Sequence, residues 1–347
     1  MRIEENHSSA GAHGEWIWPT GTMNFEHSPP AISGCILSKR FQSRMRLVLT
    51  ADLENPVLVY DVGGSHVSSA LCLASDYRLG PVVSAHYPAE QSSAAFVSFL
   101  HGLGLQAAGG CKAIAGAELA FPGPFEFAAG ISRMKHKLPF LYGVDLRQAL
   151  AERFGWQPAQ VRFLHDAGAF LLGEIGAGAA HGVHKAVGIT LGTGIGSAFA
   201  VDGRIVTQGP GVALGGEIWD TPYEGGILED SLSTRAIQGN YQKRTGKLRE
   251  VAEIAASAAS DPAAAEVFAD FGRHLGLALR ALLADFAPQV VVFGGGITRS
   301  AHLFLPIAQS HFEGMNLRLL PSALNDQAPL VGAAVAWFTE IPVSSPC

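Results

Sequence analysis

Three glycine-rich turns carry residue types that could do chemistry. Asp61-Val62-Gly63-Gly64-Ser65, Gly192-Thr193-Gly194-Ile195-Gly196 and Gly294-Gly295-Gly296 each follow an apolar run. Glycine lets backbone N–H groups approach a phosphate with no side chain in the way, so three such turns invite a nucleotide reading. Taken singly, any of them could be a plain hairpin; three at strand ends, two with an acid or a hydroxyl, weigh against that. Two other phosphate cradles are excluded. A P-loop requires GxxxxGK[ST], but the Gly-Lys pair of this chain, Gly246-Lys247, is followed by Leu248. A Rossmann fingerprint joins a strand to a helix, whereas the turn at Gly192–Gly196 leads into a second strand candidate, which disfavours hydride chemistry.

The elements that must position these turns read as alternating strands and helices. Val57-Leu58-Val59-Tyr60 is a continuous apolar strand candidate and His66 to Leu73 a second, giving strand, glycine turn, strand. Ala186 to Leu191 and Ser197 to Val201 repeat that layout around the second turn, with Asp202-Gly203 as a hairpin signal. The repetition predicts two related halves facing a shared cleft. Further strands are expected at Ala113 to Ala120, Val161 to Leu164 and Gln289 to Phe293. Helices are expected over Ser92 to Leu105, Asp145 to Phe154, Asp166 to Ala177, an Ala-rich region from 249 to 286, and Gly332 to Phe338. The last of these should pack back on the first half.

Composition bounds the partners. With 24 Lys plus Arg against 30 Asp plus Glu, the net charge of −6 argues against a surface built mainly for nucleic acid or an anionic membrane. A small soluble substrate is the better expectation. The 48% hydrophobic share suits a globular chain with room for two domains. Cys35, Cys72, Cys111 and Cys347 form no CxxC pair, so neither a disulfide framework nor a structural zinc site is suggested. The start, MRIEENHSS, lacks the positive flank and apolar core of a signal peptide, and the longest apolar stretch is interrupted by glycines; a cytoplasmic location is expected. Residues 1–55, rich in Ser, His, Pro and Gly, read as a poorly ordered extension without the paired helices of a DNA-binding module.

Taken in order, six motifs carry a resemblance: Asp61-Val62-Gly63-Gly64-Ser65-His66, Pro122-Gly123-Pro124, Leu164-His165-Asp166-Ala167, Leu191-Gly192-Thr193-Gly194-Ile195-Gly196, Gly216-Glu217-Ile218 and Val292-Phe293-Gly294-Gly295-Gly296-Ile297. From about residue 56 to the end, their order and spacing resemble the ROK family of bacterial sugar kinases and repressors, on its glucokinase- and fructokinase-like side. Each motif alone is weak; the ordered set is specific. The resemblance implies an α/β, two-domain actin-like (ribonuclease H-like) ATPase fold, with ATP and sugar in the interdomain cleft. It implies an N-terminal domain over 56–165, completed by a C-terminal helix over 329–343, and a C-terminal domain over 166–328.

The resemblance also implies roles. Asp61 would hold Mg²⁺ through water while Gly63, Gly64 and Ser65 offer donors to the phosphates, its plainer alternative being a turn-capping Asp. Gly192, Thr193 and Gly194 would form the second phosphate loop. Gly294, Gly295 and Gly296 would form the adenosine motif, or simply a βα turn. Asp166 would be the general base for a sugar hydroxyl, the ordinary alternative being a helix cap. His165, Glu217, Asp220 and Glu229 are the expected sugar contacts, with a solvated loop acid as the alternative for Glu217. The chain departs from the family pattern at several of these places. His66 stands where the family has Lys, His165 where it has Asn, Trp219-Asp220 where it has Gly-His, and His136-Lys137-Leu138-Pro139 where it has Pro-Asn-Leu. The family's zinc-binding CxCGxxGC cluster is missing between Asp220 and Gly226, so no zinc is expected. The implied reaction is ATP- and Mg²⁺-dependent phosphorylation of the primary hydroxyl of a hexose or related sugar. The alternative is a non-catalytic sugar-binding regulator. Relatives commonly pair, so the resemblance allows a homodimer; neither nucleic acid nor membrane is an expected partner.

Overall fold

The computed structural model describes residues 55–64, 66–73, 76–88 and 92–339. The expected extension over 1–55 apart from Asn55, Ser65, and the end of the expected 329–343 helix after Thr339 lie outside the described residues.

The first sheet is laid down by a strand that is apolar on both faces. β1 (Val57–Val62) buries all but one of its residues, as a strand covered on two sides must. The turn at Gly63-Gly64 returns the chain antiparallel as β2 (His66–Cys72), and β3 (Val83–His86) adds an edge. α1 (Ser93–Ala108) starts where the Ser92 hydroxyl accepts the Ala95 N–H and stops at Gly109, whose φ of +57° a side chain would resist. β4 (Ala117–Phe121) runs parallel to β1. α2 (Leu146–Phe154) is capped by Asp145 and ended by Gly155, and β5 (Val161–His165) runs parallel to β4. The strand order is β3-β2-β1-β4-β5. α3 (Asp166–Ala177) follows directly.

The second sheet repeats the first. β6 (Lys185–Leu191), β7 (Ile195–Val201) and β8 (Arg204–Val206) form an antiparallel meander. After α4 (Thr234–Thr245), α5 (Val251–Ser257) and α6 (Pro262–Leu282), β9 (Val290–Gly294) pairs parallel with β6. α7 (Ala301–Ser310) and the parallel β10 (Arg318–Pro321) complete the order β8-β7-β6-β9-β10, and α8 (Ala328–Thr339) ends the described chain. Three antiparallel strands followed by two parallel ones, in the same order twice, are the two related halves that the repeated glycine layout predicts.

α3 packs on β6 and β7 of the second sheet, α8 on β1, β2 and β4 of the first, and the two helices cross in direct contact. A Cβ on Gly332 would stand 1.7 Å from the Ala169 carbonyl oxygen, and one on Gly173 2.0 Å from that of Ala328. Glycine is therefore required for this closeness. Beside the crossing, buried Glu174 accepts the N–H groups of Ala179, Ala323 and Leu324 and the Ser322 hydroxyl, so its charge is fully hydrogen-bonded.

Two readings change in detail. The Ala-rich region is two helices, because Asp261 accepts the Ala263 N–H and Pro262 occupies the first turn of α6, which together start a helix anew. α4 has no counterpart among the expected helices, since within it only Ile237 and Tyr241 are buried, too few for a legible apolar stripe. Among the described residues no helix is long and apolar enough to cross a membrane.

Candidate active site

β5 passes into α3 without a loop, so His165 and Asp166 emerge side by side at the carboxyl end of a parallel strand, where open α/β sheets receive ligands. The His165 Nε2 atom lies 3.3 Å from Asp166 Oδ1 and 3.2 Å from Glu217 Oε1. One imidazole nitrogen thus faces two carboxylates. Asp166 Oδ1 also accepts the Ala167 N–H at 2.7 Å.

Glu217 is delivered to His165 by the turn before it. Gly215 and Gly216 both hold positive φ, +70° and +81°. The buried Ser197 hydroxyl donates to the Gly216 carbonyl at 2.6 Å and accepts the Ile218 N–H at 3.0 Å, fixing the turn on β7. Burial raises the pKa of the Glu217 carboxyl; His165 opposes this, Asp166 reinforces it, and Lys137 and Asp220 add smaller lowering and raising effects. Lys137 and Asp220 are therefore within electrostatic reach of the same carboxylate. The Phe127 ring stands edge-on to His165 at 5.9 Å, and the turn at Pro122-Gly123-Pro124 closes against the imidazole, a Cβ on Gly123 coming within 3.9 Å of it.

Asp61, near the end of β1, joins this group electrostatically. Its carboxyl is pushed up to about 7, chiefly by burial, then by the charges of Asp166 and Asp326. The Tyr87 hydroxyl donates to the Gly63 carbonyl and pins the first glycine turn. Gly63 in turn donates to the His66 carbonyl at 3.0 Å, while a Cβ on Gly64 would meet nothing within 4 Å. The fit to Mg²⁺ rests on the Asp61 carboxyl: half-buried and within electrostatic reach of two further acids, it is the kind of site a divalent cation relieves. Among the described residues no group of three or more His, Cys, Asp or Glu could hold a metal by itself. A cation at Asp61 would take its remaining ligands from phosphate and water, as Mg²⁺ commonly does.

The second glycine turn is braced from below. Gly192 N–H donates to the Gly194 carbonyl, and Thr234 N–H to the Gly192 carbonyl at 2.8 Å. Glu229 Oε2 accepts the Ile195 N–H at 3.0 Å, and a Cβ on Gly194 would stand 2.4 Å from that oxygen. This bracing contact of Glu229 is not visible in the sequence. Thr193 is exposed at the tip of the turn.

The third turn divides by function. A Cβ on Gly294 would lie 2.4 Å from the Phe170 ring, and one on Gly295, at φ +84°, 2.4 Å from the Leu191 carbonyl oxygen. Packing alone requires both glycines. A Cβ on Gly296 meets nothing within 4 Å, so this glycine borders open space. Where the family places its cysteine cluster, Pro222–Tyr223 pairs with Gly226–Ile227, and the Tyr223 hydroxyl is 3.0 Å from His274 Nδ1 on α6.

Motif reading missed Tyr87, Phe127, Ser197 and Asp326. None belongs to a motif, and each acts through a neighbour distant in sequence.

The sequence model of the ROK family matches residues 58–340. A glucokinase of Thermotoga maritima is 28% identical over 246 residues, which are 61% of this chain and 76% of the glucokinase. The solved ROK hexokinase from Thermus thermophilus is 26% identical with a TM-score of 0.67, covering 81% of this chain and 97% of its own. A ROK family glucokinase from Streptomyces griseus, solved in complex with glucose and AMPPNP, has a TM-score of 0.67 at 20% identity over 81% and 98% of the two chains, a likeness of fold.

Proposed function

Because the chain belongs to the ROK family, we propose that it is a sugar kinase, transferring the γ-phosphoryl group of ATP to the primary hydroxyl of a hexose or related sugar. The observation that carries this reading is the His165 Nε2 atom facing both Asp166 and Glu217, with Asp61 within electrostatic reach of Asp166.

Phosphoryl transfer asks mainly for position, charge neutralisation and one base within reach of the attacking hydroxyl. Asp166 is that base. It takes the hydroxyl proton as the sugar oxygen bonds to the γ-phosphorus and ADP leaves with the electrons of the broken P–O bond. Glu217 accepts hydrogen bonds from neighbouring sugar hydroxyls, and His165 donates from Nε2 and keeps the two carboxylates in register. Gly64, Thr193 and Gly194 offer backbone and hydroxyl donors to the phosphates, Gly63 and Gly192 spend their N–H groups shaping the two turns, and Gly296 leaves room for the nucleoside. Mg²⁺ held at Asp61 would neutralise phosphate charge. Closure of the two lobes would keep water from the γ-phosphate.

The test is coupled ADP release over a panel of hexoses and polyols, with ATP and polyphosphate as alternative donors. Saturable turnover of a hexose with ATP is expected. Absence of turnover on every acceptor would overturn the kinase reading in favour of a sugar-binding regulator, whose signature is salt-dependent binding to DNA.

A further inference from the structure

The turn that brings Phe127 to His165 has little holding it from within. It joins two strands of two residues each, Phe125–Glu126 and Ile131–Ser132, which pair only Phe125 with Ser132 and Glu126 with Ile131. A hairpin that short is not stable by itself, so its position must come from outside.

α2 supplies that support. In the first turn of the helix, the Arg147 guanidinium donates from Nη1 to the Ala128 carbonyl at 2.7 Å and from Nη2 to the Phe127 carbonyl at 3.1 Å. One planar head grips two consecutive carbonyls, a task its rigid fork suits. Its Nε is buried with no hydrogen-bond partner among the described residues, so the side chain gives up part of its hydrogen bonding to sit where both carbonyls are reached. Gly130 makes the seat possible: it holds φ +78°, and a Cβ there would stand 2.6 Å from the Arg147 Cβ. Its carbonyl accepts the Leu146 N–H at 2.9 Å.

From this anchored backbone an aromatic row runs to the site. The Phe127 ring lies 5.2 Å from that of Phe125, which lies 5.0 Å from Phe163, and at its other side it stands edge-on to His165 at 5.9 Å. Phe163 and His165 are two apart on β5 and share a face of the strand. The imidazole is thus met by Phe127 while its Nε2 faces Asp166 and Glu217.

We infer that Arg147 is a positioning residue for the acceptor site: by holding the Phe127 and Ala128 backbone it fixes the Phe127 ring against His165, and so sets how the imidazole stands to Asp166 and Glu217. The kinetic consequence rests on the kinase reading; the placement of His165 does not.

Proton NMR of the His165 Hε1 resonance, assigned by its loss in His165→Gln, tests the placement in wild type, Arg147→Met, Phe127→Leu and the double variant. Arg147→Met should move the resonance in the same direction as Phe127→Leu, and the double variant no further than Phe127→Leu alone. With the best hexose of the panel, each single variant should raise the KM for sugar about five- to tenfold and the double variant no more than Phe127→Leu, the KM for ATP staying unchanged. Arg147→Lys, whose single ammonium replaces the two-pronged head, should move the resonance part of the way and serves should Arg147→Met fail to fold. A resonance unmoved in the folded Arg147 variant, additive effects in the double variant, or an equal rise in the KM for ATP would each overturn the proposal. If no sugar is phosphorylated the resonance still decides, so the kinase reading and this one fail separately.

Discussion

The carboxyl of Asp61 titrates near 7 in the folded protein against 3.8 for the free side chain, through burial and then the charges of Asp166 and Asp326. The unfolded chain releases this proton near 3.8 and the native state near 7. Between those values the native state holds the extra proton, so this group's contribution to stability declines as pH rises through the window and is fully lost above it. The cost is that of a charged carboxylate held among other acids without a cation. Asp61→Asn removes it. In the presence of EDTA, the thermal midpoint of Asp61→Asn should exceed that of wild type by roughly 2–4 °C at pH 8 and by much less at pH 5. Calorimetric scans at the two pH values check this, and a difference independent of pH would refute the assigned environment. His165 makes the complementary point: with one nitrogen near two carboxylates, it sets their spacing, which a residue of another length could not do at the same distances.

At the scale of elements, the end of β9 separates packing from binding within three identical letters. Gly295→Ala places a Cβ 2.4 Å from the Leu191 carbonyl oxygen at a positive φ, so a loss of about 2–4 kcal/mol in denaturant unfolding is expected. Gly296→Ala meets open space and should leave the unfolding midpoint nearly unchanged while raising the KM for ATP several-fold; equal stability losses in the two variants would contradict the division. Sequence could not make this distinction, because Phe170 and Leu191 reach the turn from other elements. Much else was legible. The apolar runs of β1, β6 and β9 and the span of α3 from Asp166 to Ala177 are readable because burial on both sheet faces and strand-to-helix punctuation leave strong local marks. β3 and α4 were not, since an edge strand and a helix with two buried residues carry little pattern. The motif acids Asp61, Asp166 and Glu217 were legible as chemistry; the bracing of Glu229 and the roles of Tyr87 and Asp326 arise from three-dimensional proximity alone.

At the scale of the whole molecule, two sheets of the same topology are joined through the crossing of α3 and α8. α3 carries Asp166 at its first residue, directly after β5 of the first sheet, so the first sheet sets the distance from Asp166 to Asp61 on β1, while the crossing fixes α3 against the second sheet. Gly332→Val would drive a side chain into the Ala169 carbonyl and should cost more than about 3 kcal/mol in denaturant unfolding. A neutral effect would show that the helices do not meet as closely as described. The central claim is that this joined crevice performs proton-coupled phosphoryl transfer, and Asp166→Asn tests it most directly. With ATP and the best hexose of the panel, the account predicts a kcat lower by about 10²–10⁴-fold while calorimetric sugar affinity stays near that of wild type. An Asn variant that turns over as fast as wild type would contradict it.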